Sequence, residues 1–560
     1  MQLNFVTALA MMPTLLYAFN TSSNLNLNGW YPCSEYTFSD AGSSTGQLAQ
    51  CAVYSAPLCY PGICETPENV NPKVDVFVKR IPATVGSPTS VSNVWLLDGG
   101  PGLPSTAMEE DMETLHAQLE GKVNVYTMDH RGTGRSTFLD CVAAQVTTTG
   151  SPFGAGINPS EVPACAKDLQ VKYGDLASFS ITTAATDLAT FISKYTNGRS
   201  TIVYGVSYGT ILVERLMHLA PPEVTGYVLD SNAAASGSPV DEFPYLSSYD
   251  VDFDEVGNSF LSLCEKDYEC HHHFQPSNLN HTLHRLLEKF DNDPKSTCAE
   301  LANGEPALGV RNSLNILLPD STLRKFIPPV VYRLNRCSTE DVSVLTHFFT
   351  VLFPNTTTTY QDDVYFSGLL YNLLVFSEMW ESPIPLKPEL RFSEGINYMV
   401  PKYCAYSKDK SKGCNEFNTS NYDAPGIIYK RDQYWNKTAT IPSQASVLLM
   451  SGTLDPQTPT KYAEYLFKAL KGTKKELIKF AYATHGAILS TPIMRGSPDT
   501  CGMRVLASYV RSGGDLEHLN TSCVDELPAF NLTVPDDILR KYLGTKDAYD
   551  GAFNSSLTSN

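Results

Sequence analysis

Ser207, in Gly205-Val-Ser207-Tyr-Gly209, is the residue whose neighbours most clearly prepare chemistry. A G-x-S-x-G run between a strand and a helix makes a turn so tight that only small residues fit two positions either side of the serine. The turn lifts the hydroxyl above the sheet, and the N–H that follows points into the site. A second match, Gly42-Ser-Ser44-Thr-Gly46, has neither strand nor helix beside it and reads as a loop. A serine hydroxyl is weakly nucleophilic at neutral pH and needs a base held by a third group. Asp455 follows the apolar run Ser446–Met450, and His485 follows Glu476–Phe480, so both fall beyond the carboxyl ends of strands, where sites in α/β sheets lie. Asp230, at another strand end, is the alternative acid. Asp98-Gly99-Gly100-Pro101-Gly102 lets the backbone come close to a reacting carbonyl, and the N–H groups of Gly100 and Tyr208 are the expected oxyanion donors. The chemistry would be acyl transfer through a covalent intermediate, with no metal or organic cofactor expected. A zinc site built from His271-His-His273 with Cys264 and Cys270 would need thiolates, which oxidised cysteines do not supply.

Short apolar strands alternate with amphipathic stretches on either side of these motifs. The strands are read at Val74–Val78, Asn93–Leu97, Val123–Met128, Thr201–Tyr204, Gly226–Leu229, Ser446–Met450 and Glu476–Phe480. Helical spacing covers 105–119, 182–195, 208–220, 459–470 and 499–511. This predicts a mostly parallel α/β sheet with helices on both faces. The rhythm stops near Ser231 and resumes at Ser446, so the stretch between reads as an inserted, mainly helical cap. The expected organisation is a signal peptide at 1–18, a disulfide-tied irregular segment at 19–73, and the core's first part at 74–235. The cap follows at 236–435, the core's second part at 436–530 and a tail at 531–560.

Forty-one basic and 59 acidic residues leave a formal charge of −18, which argues against nucleic acid or an anionic membrane as partner. An apolar fraction of 42% is enough for a large core. The apolar stretch Phe5–Phe19 is too short and broken to span a membrane and fits a secretory signal. The polar end of the chain shows no glycolipid-anchor signal. Fourteen cysteines fall into local pairs: 33/51, 59/64, 141/165, 264/270, 298/337, 404/414 and 501/523. Sequons stand at Asn20, Asn280, Asn355, Asn418, Asn436, Asn520, Asn531 and Asn554. Together these predict a secreted, glycosylated protein, extracellular or held in a vacuolar or lysosome-like lumen.

Gly99-Gly-Pro-Gly102, Asp129-His-Arg-Gly-Thr-Gly-Arg-Ser136, Gly205-Val-Ser-Tyr-Gly209, Gly452-Thr-Leu-Asp-Pro-Gln-Thr-Pro459 and Thr484-His-Gly486 together resemble the prolyl aminopeptidase and tripeptidyl aminopeptidase family of serine peptidases. The resemblance covers about 90–235 and 440–525. It implies an α/β-hydrolase fold, a Ser207–His485–Asp455 triad, Gly100 and Tyr208 as oxyanion donors, and peptide substrates with a free N-terminus. Asp98 and Tyr208 stand where prolyl aminopeptidases have His and Trp, and the chain is much longer, which favours the tripeptidyl-type branch. In that family, cap carboxylates grip the substrate ammonium, and Asp241 and Glu242 are the first acids in the cap. An esterase or lipase on the same triad is the enzymatic alternative. A non-catalytic recognition protein on a hydrolase scaffold is the alternative from another class.

Overall fold

The computed structural model describes residues 26–38, 42, 46, 49–141, 157–302, 305–354, 364–382, 399–494, 497 and 499–558. The expected signal segment, Ser44, and the sequons Asn20 and Asn355 lie outside the described residues. The strands are β1 (Tyr31–Cys33), β2 (Ala49–Pro57), β3 (Lys73–Ile81), β4 (Asn93–Leu97), β5 (Asn124–Asp129), β6 (Thr201–Val206), β7 (Val224–Asp230), β8 (Ser446–Gly452) and β9 (Lys475–Phe480). They form one sheet in the order β1-β2-β3-β5-β4-β6-β7-β8-β9. Pairing is antiparallel from β1 to β5 and parallel from β5 to β9.

Strands β4 to β8 are buried on both faces, which is why they read as largely apolar runs, whereas the edge strand β9 exposes Glu476 and Lys479. Side chains still alternate between the two layers. Along β4, Val94 and Leu96 belong to the core that includes Met112 and Leu115 of the helix Glu109–Gln118. Trp95 and Leu97 belong to the opposite core, with Leu188 and Phe191 of the helix Ile181–Tyr195. Trp95 stacks on Tyr126 of β5 at 4.8 Å between ring centroids. The first segment is less irregular than its composition predicts, because β1 and β2 lie within it. In β2 the alternation is carried by Ala, Cys and Ser, whose small side chains give a weak periodic signal.

After β7 the chain leaves the sheet and returns as β8, the direct neighbour of β7. Helices Tyr249–Ser262, Leu279–Asn292, Pro306–Leu317, Ile327–Arg336 and Thr339–Leu352 of this excursion enclose a hydrophobic core of their own. The helix Gly368–Glu378 belongs instead to the core of the sheet. The expected tail is docked on the cap: Leu539 and Leu543 of the helix Asp536–Leu543 enter the cap core. Arg333 donates to the carbonyls of Ala548, Asp547 and Gly551.

Six local cysteine pairs are disulfides: 33–51, 59–64, 264–270, 298–337, 404–414 and 501–523. The seventh expected pair differs. Cys141 and Cys165 are buried thiols in hydrogen-bond contact, not a disulfide.

Candidate active site

The turn between β6 and the helix Tyr208–Leu219 is built by contacts that only glycine permits. A Cβ on Gly205 would run into the Gly209 carbonyl, and one on Gly209 would lie 2.8 Å from the carbonyl oxygens of Leu97 and Asp98. Ser207 between them takes φ 55° and ψ −123°, a left-handed conformation that L-residues avoid. It is held there from three sides. Its N–H donates to Asp230 O at 3.0 Å, and the Thr210 N–H and hydroxyl donate to its own carbonyl at 2.9 and 2.6 Å.

The loop after β4 crosses over this serine. A Cβ on Gly99 would stand 3.0 Å from the Ser207 Cβ, so glycine is what allows the two backbones to approach. Gly100 has φ 110°. Among the described residues, the N–H groups of Gly100 and Tyr208 are not engaged in a loop or side-chain hydrogen bond, and both residues line a cleft with Ser207. The Asp129–Ser136 loop is an anchor: Asp129 accepts from the Ser105 and Arg135 N–H groups at 2.7 and 2.8 Å. Arg131 grips Asp187 with two bonds of 2.6 Å. His130 lies under the Tyr208 ring at 5.6 Å.

Asp455 and His485 come together from the loops after β8 and β9. His485 Nδ1 donates to Asp455 at 2.9 Å to Oδ2 and 3.1 Å to Oδ1. The buried carboxylate also accepts from the N–H groups of Gln457 and Thr458 at 2.9 and 3.1 Å and from the Thr458 hydroxyl at 2.7 Å. Burial pushes the Asp455 carboxyl up, but the His485 charge and these hydrogen bonds outweigh it and hold it below its ordinary value. Burial pulls the His485 imidazole down, and the Asp455 carboxylate outweighs that and leaves it raised. Among the described residues no hydrogen bond joins the Ser207 hydroxyl to His485; catalytic bonds of this kind often tighten only when substrate binds.

Asp230, the alternative acid, is committed elsewhere. Its carboxylate accepts from the Tyr204 hydroxyl at 2.8 Å and from the N–H groups of Ala487 and Ile488 at 2.8 and 3.1 Å. It therefore anchors the segment after His485 and acts on the imidazole through space, with no hydrogen bond to it. Cys264 and Cys270 are joined as a disulfide, so they offer no thiolates to the histidine run.

The cleft over Ser207 has a volume of about 380 Å³. Cap residues Tyr245, Tyr249, Asp252 and Met379 form its far wall. Asp252 is only 5% exposed. It accepts from the Tyr462 hydroxyl at 2.7 Å and pairs with Lys461 at 2.7 Å. Asp241 and Glu242 are exposed and do not line the cleft. Asp252 and Thr458 were not singled out from sequence. Thr458 lies inside the Asp-Pro-Gln-Thr motif, whereas nothing near Asp252 marks it among the cap's acids.

The strand order, the strained serine after β6 and the acid and histidine after β8 and β9 define an α/β-hydrolase fold with the side chains of a hydrolase. Residues 426–523 match the family described as TAP-like protein. No curated protein matches the chain. Among solved structures, a proline iminopeptidase from Mycobacterium smegmatis aligns at 12% identity over 82% of this chain and 98% of its own, with a TM-score of 0.32. An esterase from Exiguobacterium antarcticum aligns at 12% identity over 74% and 91%, with a TM-score of 0.28. A monoacylglycerol lipase from Paleococcus ferrophilus aligns at 13% identity over 78% and 99%, with a TM-score of 0.28. These alignments carry no choice of substrate.

Proposed function

We propose that this chain is a serine exopeptidase, of the aminopeptidase or tripeptidyl-aminopeptidase type, that cuts peptide bonds near a free N-terminus. Ser207 Oγ attacks the scissile carbonyl while His485 takes its proton. Asp455 fixes the imidazole tautomer and stabilises the imidazolium. The N–H groups of Gly100 and Tyr208 receive the oxyanion. His485 then protonates the leaving amine, and water, activated by the same histidine, releases the acyl group from Ser207.

The observation that favours a peptide over an ester is Asp252. A buried carboxylate on the wall of the cleft is costly unless a cation meets it, and a simple ester brings none. Lys461 serves two acids at once, Asp252 at 2.7 Å and Glu255 at 2.5 Å. The trio keeps a net negative charge beside the cleft, suited to a substrate ammonium. Burial raises the Asp252 carboxyl, opposed by the hydrogen bonds from Lys461 and Tyr462. The six disulfides support export to an oxidising compartment.

The test compares unblocked and N-acetylated peptide amides with short-chain esters. Unblocked peptides are expected to be turned over best, with Asp252→Asn narrowing the preference at least tenfold. Ser207→Ala is expected to lower kcat by about 10⁴-fold or more for every substrate. Equal turnover of blocked and unblocked peptides, or esters alone as substrates, would leave the esterase as the reading.

A further inference from the structure

Three of the five buried arginines among the described residues are each met by a carboxylate. Arg131 meets Asp187 at 2.6 Å, Arg215 meets Glu378 at 2.8 Å and Arg333 meets Asp341 at 3.0 Å. Arg324 is 5% exposed and, among the described residues, meets no carboxylate within ion-pair distance. Its Nη2 donates to the Tyr482 carbonyl at 2.7 Å, and its Nη1 is buried without a hydrogen-bond partner. The rings of Phe260 and Phe530 lie 5.9 and 6.0 Å from the guanidinium carbon. The acid that acts on it through space, Asp320, is exposed and accepts the N–H groups of Thr322 and Leu323. Burial pulls the Arg324 pKa down to about 10, so the group stays charged at neutral pH. Buried charges in folded proteins are paired, and an uncompensated one is strongly unfavourable.

Arg324 lines a cleft of about 470 Å³ between the cap and the core, separate from the one over Ser207. Lys325 lines it too, its amine donating to the neutral oxygens of Asn531 and Thr533. None of the lining residues is acidic, in a chain whose formal charge is −18. Much of the remaining wall is apolar, including Pro492, Leu527, Pro528 and Phe530.

We propose that this cleft binds an organic carboxylate with an apolar body, its carboxylate oxygen accepting from Arg324 Nη1. One buried, unpartnered guanidinium nitrogen and an apolar wall suit a singly charged oxyanion, whereas a dianionic phosphate calls for more donors. The site also touches the catalytic loops from behind. Tyr482 lies three residues before His485; its carbonyl accepts from Arg324, and its N–H donates to Thr453 Oγ1, on the Asp455 loop, at 2.8 Å. An anion drawing the guanidinium toward itself loosens its bond to that carbonyl, so occupancy is felt at the histidine loop.

The full-length protein, titrated with 3-phenylpropionate by calorimetry, is expected to bind it saturably, and neutral 3-phenylpropionamide at least tenfold more weakly. Arg324→Met is expected to abolish the difference. Ala529→Trp, which places an indole at an exposed position of the wall and leaves the arginine intact, is expected to weaken binding tenfold or more and covers the case in which the arginine variant fails to fold. Asp252→Asn, in the other cleft, is expected to leave binding unchanged. Equal binding of acid and amide, binding that survives Ala529→Trp at full strength, or binding lost in Asp252→Asn would overturn the assignment. So would saturable binding of inorganic phosphate in place of the carboxylate.

Discussion

Ser207 combines two features that are separately unfavourable, a left-handed backbone and, in the proposed mechanism, a hydroxyl that must lose a proton. The backbone strain is on the order of 1–3 kcal/mol, and the bonds from Thr210 and to Asp230 O hold the residue in it. In the proposed mechanism the proton is the task of His485, and its environment sets the pH at which it can act. Burial disfavours the imidazolium, the Asp455 carboxylate favours it more strongly, and the outcome is a raised pKa. A general base must be neutral to accept a proton, so activity is expected to be lost as pH falls through a midpoint above the ordinary value of about 6.5. The profile of kcat/KM on an ester with no ionisable group checks this. Asp455→Asn removes the charge that raises the midpoint and also the acceptor that fixes the tautomer. It is expected to move the acid limb down and to lower kcat by about 10⁴-fold. An acid limb at or below about 6.5 in the unaltered protein would contradict the raised imidazole.

At the scale of elements, the helix Glu109–Gln118 carries a second titrating group beneath the same sheet edge. Asp111 is buried, and burial first, then the charges of Glu110, Asp98 and Asp230, push its carboxyl up to about 7. The linkage runs opposite to that of a salt-bridged acid. Between about pH 4 and pH 7 the unfolded chain ionises this group while the folded chain keeps it protonated, so stability falls as pH rises through that window. Asp111→Asn is expected to flatten this part of the stability profile. The gain at pH 8 can reach a few kcal/mol, at about 1.4 kcal/mol for each pH unit of the window. Urea unfolding at pH 4.5 and pH 8 measures it, and parallel shifts of variant and parent would refute it. What the sequence made legible follows the same physics. Strands β4 to β8 show as apolar runs because both faces are buried, β9 shows by Leu477, Ile478 and Phe480, and Ser207, Asp455 and His485 show because each lies just beyond one of these strands. β2 stayed hidden behind small side chains. Asp252 and Arg324 stayed hidden because their meaning depends on partners from distant segments, Tyr462 and Tyr482, that no local pattern connects.

For the whole molecule, the question is whether the cap behaves as a part of the sheet or as a body of its own. Helices of the cap and the docked helix Asp536–Leu543 enclose one core, while the two faces of the sheet have theirs. Yet the cleft over Ser207 needs both, since Tyr249 and Asp252 are cap residues and Ser207 and Thr458 are not. The Cys298–Cys337 disulfide closes a loop inside the cap, with a sequence separation of 39. A loop of that length restricts the unfolded chain by about 4 kcal/mol in the chain-entropy description. Cys298 sits on the short helix Thr297–Glu300, and Cys337 caps the helix Ile327–Arg336, so the bond ties two edges of the cap core without touching the sheet. Replacing both cysteines by serine is therefore expected to destabilise the cap selectively. Calorimetry is expected to show a new transition below the main one, and hydrolytic activity is expected to vanish across that first transition, because the wall carrying Asp252 is lost while the Ser207 turn persists. Labelling of Ser207 by a small fluorophosphonate is expected to survive to the second transition. A single transition in which labelling and activity disappear together would mean that cap and sheet fold as one unit.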